Sequence, residues 1–172
     1  MTATVEIRAA RPDEFEAVGR LTVEAYRQLR GGGRYSSYEE QLLAVSARAA
    51  DSLVLVAVDE TGDVLGSVTY VPDAGRAMSE FRDPKGAGVR MLAVRPDRQG
   101  AGIGHALTQA CIERARAEHR SRIVLHSTEI MTVARAMYER MGFVAAPELD
   151  AWVSKEPGEE PTLRLLAYVL EL

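Results

Sequence analysis

Residues 91 to 104 read Met-Leu-Ala-Val-Arg-Pro-Asp-Arg-Gln-Gly-Ala-Gly-Ile-Gly. An apolar strand runs into a glycine-rich turn, and the turn runs directly into a helical pattern. Glycines let the backbone approach a ligand closely and adopt conformations closed to other residues. The first turn of the following helix presents unpaired N–H groups and the positive end of its dipole. Together these form a cradle suited to phosphate or pyrophosphate, with Arg95 and Arg98 able to add charge at its rim. The same turn would also serve simply to pack a helix on a sheet, and the spelling alone leaves both readings open.

Other phosphate-binding signatures fit less well. A P-loop requires Gly-Lys-Ser/Thr, and no Lys follows these glycines. In a Gly-x-Gly-x-x-Gly fingerprint the third glycine would fall on His105 or Leu107. The single cysteine, Cys111, rules out a disulfide framework within the chain. His105, His119 and His126 stand apart without a second ligand at metal-site spacing, so no metal is expected. A formal net charge of -4 gives no pointer to nucleic acid or an anionic membrane. No stretch approaches the roughly 20 apolar residues of a membrane span, and the N-terminus lacks a signal-peptide pattern. The expectation is a cytoplasmic protein forming one domain over residues 1–172.

Along the chain, Val5 and Ile7 mark a short strand, and Pro12-Asp13 opens a helix carrying Phe15, Val18, Thr22, Ala25 and Leu29. Gly31, Gly32 and Gly33 stop it. Ser37 with Glu40 reads as a capping box for a second helix ending near Asp51. Residues 53–58 and 64–70 form a hairpin, residues 72–88 an irregular excursion, and residues 89–94 a strand. A helix follows over 101 to about 119, then a short apolar strand at 123–125 and a helix over 132–141 closed by Gly142. Residues 143–153 and 163–170 complete the pattern as strands. The order is that of a mixed α/β domain.

The spacing Gln99-x-x-Gly102-x-Gly104 after the strand at 91–94 resembles the acetyl-CoA signature of the GNAT superfamily of N-acetyltransferases. Ala134-Arg-Ala-Met-Tyr138-Glu-Arg-Met-Gly142-Phe143 resembles a second element of that family. The resemblance implies a mixed, mostly antiparallel central sheet flanked by about four helices. It implies acetyl-CoA as acyl donor and a primary amine, on a small molecule or a peptide, as acceptor attacking directly in a ternary complex. The backbone of Leu92, Ala93 and Val94 would pair with the pantetheine arm, with an N–H near Leu92 polarising the thioester carbonyl. Arg98, Gln99, Gly100, Ala101, Gly102, Ile103 and Gly104 would hold the pyrophosphate, with Ala134 and Tyr138 completing the cofactor site. Tyr138 would be the general acid, although its spacing on the helix also suits a core-facing edge.

The departures bear on mechanism. Relatives often carry Asn where this chain has Met131, and a glutamate base where it has Gly88. Glu129, or else Glu80 or Asp150, becomes the candidate base, with a water chain as the alternative. His126 is read as a core or cleft-wall residue, and Cys111 as packing. Tyr26, Tyr35, Tyr38 and Phe81 are candidate aromatic walls for a cationic amine, or ordinary packing. A homodimer is conceivable through the last strands. The competing reading is a catalytically weak GNAT-fold module that binds acyl-CoA and regulates.

Overall fold

The computed structural model describes residues 4–30 and 36–172. Strand β1 (Glu6–Ala9) is followed by helices α1 (Phe15–Leu29), α2 (Ser36–Leu43) and α3 (Val45–Asp51). Strands β2 (Leu53–Val58), β3 (Val64–Val71) and β4 (Gly86–Val94) then lead into α4 (Ile103–Ala117). The chain closes with β5 (Arg122–Ser127), α5 (Thr132–Arg140), β6 (Val144–Ala145), β7 (Ala151–Val153) and β8 (Leu163–Glu171). The sheet runs β1-β2-β3-β4-β5-β8-β6, and β7 also pairs with β8. Only β4 and β5 are parallel; every other pair is antiparallel. This mixed, mostly antiparallel sheet with five helices among the described residues is the architecture expected, with one helix more.

Both faces of the sheet are covered, which explains why β2 is apolar at every position. Leu55 and Ala57 join Leu107, Cys111 and Ile112 of α4 on one face. Val54, Val56 and Val58 meet Val18 of α1 and Val45 of α3 on the other. Cys111 is fully buried, and burial pushes its thiol up to about 12, so it packs as a neutral apolar group.

The structure differs from the sequence reading at four places. The second helix is two, because the chain breaks at Ala44 (φ -77°, ψ 53°). The buried Arg48 guanidinium reaches back to the carbonyls of Gln41 (2.9 Å) and Leu42 (2.6 Å), satisfying the end of α2 so that a new helix can start. Ser37 lies inside α2 and donates to Glu156 instead of capping. Strand β4 begins at Gly86, inside the stretch read as irregular. The strand expected over 143–153 is two short ones divided by a 3₁₀ turn at Pro147–Leu149, where proline cannot donate to a ladder.

Glu14, 7% exposed, ties β1 to the start of α1. Arg8 donates to both its carboxylate oxygens (2.9 and 2.6 Å), and the Arg11 amide donates to one of them (2.8 Å). The Arg8 pair holds the Glu14 pKa down at about 2, against a burial cost that opposes it. A lowered native pKa contributes stability that is complete above the unfolded value and lost as pH falls through the native one. Glu14→Gln is therefore expected to cost about 2 kcal/mol at neutral pH. Chemical denaturation at pH 7 and pH 3 should show the gap to wild type narrowing in acid.

Candidate functional site

The cradle is built where β4 ends. The Arg95 amide donates to Leu65 O (2.8 Å), and the Arg95 side chain pairs with Asp97 (2.7 Å), fixing the exit of the strand. Gly100 and Gly102 both sit at φ +81°, a region that side chains strongly disfavour. Gly102 immediately precedes α4, so the turn delivers the chain to the helix with its first amides facing outward. A cavity of about 390 Å³ opens there between the turn, the end of β4, α1 and α5.

Leu92, Val94, Arg98, Gln99, Gly100, Gly102, Ile103, Gly104 and Ala134 all line that cavity. Ala101 is exposed beside it, and the Ala93 side chain is buried against α1 on the opposite face. The role expected of Ala93 uses its backbone and does not depend on that side chain. Arg140, at the end of α5, lines the cavity too and was not singled out from the sequence. With Arg98 it places two guanidinium groups beside the helix N-terminus, a setting suited to phosphate.

The opening between β4 and β5 has a local cause. The two strands pair only from Gly86 with Arg122 to Val89 with Leu125. On the other side of β4, Thr69 of β3 faces Arg90 while Ser67 faces Ala93, so β4 carries one extra residue. That residue is Met91, at φ +52°, a bulge in a conformation rare for a side-chain-bearing residue. From there β4 departs from β5, while β5 stays paired to β8 as far as Ser127.

A smaller cavity of about 80 Å³ lies in this fork, lined by Tyr26, Leu92, Leu125, His126, Ala134 and Tyr138 among others. Tyr138 is 6% exposed and packs at a tilt near Phe143 and Tyr168, with ring centroids at 5.6 and 6.5 Å. Its hydroxyl makes no hydrogen bond to the described residues. Burial pushes the phenol pKa upward. Tyr138 is thus both a core-facing residue and a cleft residue.

A third cavity of about 260 Å³ continues beyond the fork. Tyr26 lines all three; Leu92 and Ala134 join the first to the second, and Arg90, Met91, His126 and Met131 join the second to the third. The three cavities thus lie in a row that shares walls, a passage from the glycine turn, past Tyr138, to the pocket around Glu80 and His126.

The third cavity contains a charge cluster. Glu80 pairs with Arg90 (2.8 Å) through one oxygen and faces His126 Nδ1 (3.1 Å) with the other. His126 Nε2 lies 3.0 Å from the Leu149 carbonyl, which can only accept, so Nε2 carries a hydrogen. Nδ1 faces the Glu80 carboxylate without hydrogen-bond geometry. Burial would lower the His126 pKa, but Glu80 and the Leu149 carbonyl outweigh it and raise it. For Glu80 burial acts upward, and His126 and Arg90 bring the net shift below the ordinary value.

The remaining sequence candidates are dispersed. Tyr38 lines the third cavity. Tyr35 lies outside the described residues. Phe81 stands away from the passage, over β4; a Cβ at Gly88 would come within 2.7 Å of its Cε1. Glu129 is exposed and lines none of the three cavities. Asp150 is taken by Arg164 (2.7 Å) and the Ala167 amide (2.8 Å). Glu80 alone of the three proposed bases faces the passage. Arg90 and Lys155 were not foreseen there, since nothing in local spacing links either to His126.

Comparison with known proteins places these features in context. The sequence profile described as the Acetyltransferase (GNAT) family matches residues 15–143. The chain is 36% identical over 90 residues to an L-methionine sulfoximine/L-methionine sulfone acetyltransferase of Pseudomonas aeruginosa, a match covering 52% of this chain and 49% of that one. It is 31% identical over 93 residues to a mycothiol acetyltransferase of Renibacterium salmoninarum, covering 52% of this chain and 25% of that one. The matches thus span about half or less of those relatives. In fold, it superposes on a ribosomal-protein-alanine N-acetyltransferase from Brucella melitensis with TM-score 0.71 at 24% identity, covering 97% and 99% of the two chains. It also superposes on the yncA protein from Salmonella typhimurium, solved with its cofactor acetyl-CoA, with TM-score 0.68 at 21% identity over 98% and 94%.

Proposed function

Because the chain belongs to the acetyltransferase (GNAT) family, we propose that it transfers an acetyl group from acetyl-CoA to a primary amine by direct attack in a ternary complex. The observation that carries this reading is the row of three cavities, in which an anion cradle and a polar pocket flank a smaller cavity lined by Leu92 and Tyr138. When bound, acetyl-CoA supplies a thioester carbonyl activated toward nitrogen. The outward amides at the start of α4, with Arg98 and Arg140, hold the pyrophosphate. The exposed edge of β4 beyond Met91 offers backbone groups to the pantetheine arm, and the Leu92 N–H donates to the carbonyl oxygen as charge develops there.

Tyr138 gives its proton to the departing sulfur. Its raised pKa keeps the phenol neutral until a thiolate forms beside it, and its hydroxyl has no competing protein partner among the described residues. Glu80 is the carboxylate placed to face the amine and to receive its proton through water. Glu129, out on the surface, has no path to that role. Met131 lines the fork with a side chain that cannot donate a hydrogen bond.

Calorimetric titration with acetyl-CoA, with CoA, ATP and NAD as controls, tests the reading. Micromolar binding of acetyl-CoA or CoA, followed by thiol release with an amine, is the expected result. Binding without thiol release across an amine panel would favour a regulatory acyl-CoA module. Binding of ATP or NAD in place of CoA would overturn both.

A further inference from the structure

The pocket at the far end of the passage is electrostatically lopsided. Arg30, Arg90, Lys155 and His126 line it, against one acid, Glu80. Ser37, which also lines the pocket, donates to Glu156 (3.2 Å). Glu80 pairs with Arg90 and faces His126 with its other oxygen. Lys155 forms no ion pair among the described residues. The aromatic walls are also committed: the Arg30 guanidinium lies 5.8 Å from the Tyr26 ring centroid and 5.3 Å from that of Tyr38. Those faces hold a cation of the protein's own.

An acceptor bearing a second positive charge would bring it among these cations at close range, which is costly in a partly desolvated site. An acceptor bearing an acid would instead find Lys155, which has no ion pair among the described residues, and the guanidinium of Arg90, while its amine still has Glu80 to face. The volume, about 260 Å³, is below the roughly 300–1,000 Å³ of pockets that take drug-sized ligands. We infer that the acceptor is a small amino acid or amino-oxyacid, its ammonium directed at Glu80 and its acid group at Arg90 and Lys155. This rests on the acetyltransferase reading above and narrows it.

The test measures thiol release at saturating acetyl-CoA with matched acceptors. The twenty common L-amino acids are paired with their α-carboxamides; taurine and 2-aminoethylphosphonate are paired with ethylamine; spermidine and a neutral tripeptide complete the set. The best acid acceptor should exceed its acid-free counterpart at least tenfold in kcat/KM. Lys155→Gln, an exposed change that leaves the core intact, should raise KM for that acid severalfold and leave the amide's unchanged. Equal or better turnover of the amides, spermidine or the tripeptide would overturn the inference, as would inactivity of every acid. Calorimetry with acetyl-CoA alone separates the cases: binding with only neutral or cationic acceptors used removes this inference and leaves the acetyltransferase, whereas no binding removes both.

Discussion

Tyr138→Phe is expected to lower kcat by about a hundredfold or more while leaving acetyl-CoA affinity within twofold of wild type. The ring is held by Phe143 and Tyr168 and by burial, none of which involves the hydroxyl. Phenylalanine therefore keeps the packing and removes only the proton donor. A hundredfold loss corresponds to about 2.7 kcal/mol of transition-state stabilisation, within the usual range for one general acid. The discriminating readout is the split between kcat and affinity, with thermal melting as a control for the fold. Undiminished turnover of a verified acceptor would assign Tyr138 to the core alone.

The second large effect concerns the cradle. Gly104→Leu should weaken acetyl-CoA binding at least a hundredfold with little change in melting temperature. A Cβ at Gly104 would lie 3.7 Å from Met137 Sδ, 3.7 Å from Val94 Cγ2 and 3.9 Å from Leu92 Cδ2, ordinary contact distances that leave the helix unstrained. The rest of the leucine would extend into the cavity those residues line. Helix propensity also rises on replacing Gly, which opposes any loss of stability. Calorimetry and a melting curve on the same sample check both halves. Retained affinity would mean that the phosphates lie elsewhere.

The cradle was legible because it is local: a few consecutive backbone conformations, two of them demanding glycine, leave their mark in spelling and spacing. The layered order of strands and helices was legible for the same reason, through periodicity. The charge cluster was not, because Glu80, Arg90 and His126 come from a loop and two strands that meet only after the sheet assembles. The Met91 bulge leaves no compositional trace, since its positive φ is imposed by register with β3 rather than chosen by the residue. The break at Ala44 carries no Gly or Pro; a buried arginine farther along makes it. Pro147, by contrast, was a visible signal that the reading of 143–153 as one strand passed over, and it outweighs the apolar run around it.

The contact between Phe81 and Gly88 has a consequence for how such a site can change over generations. A carboxylate at position 88 requires the ring to leave first, since even a Cβ there meets it at 2.7 Å. Phe81 is also the immediate chain neighbour of Glu80, and its seat over β4 anchors the segment that delivers that carboxylate to the passage. Dislodging the ring to admit an acid on the strand would loosen the acid supplied by the loop. The position of an acid on the strand is thus coupled, through one ring, to the seat of the acid supplied by the loop.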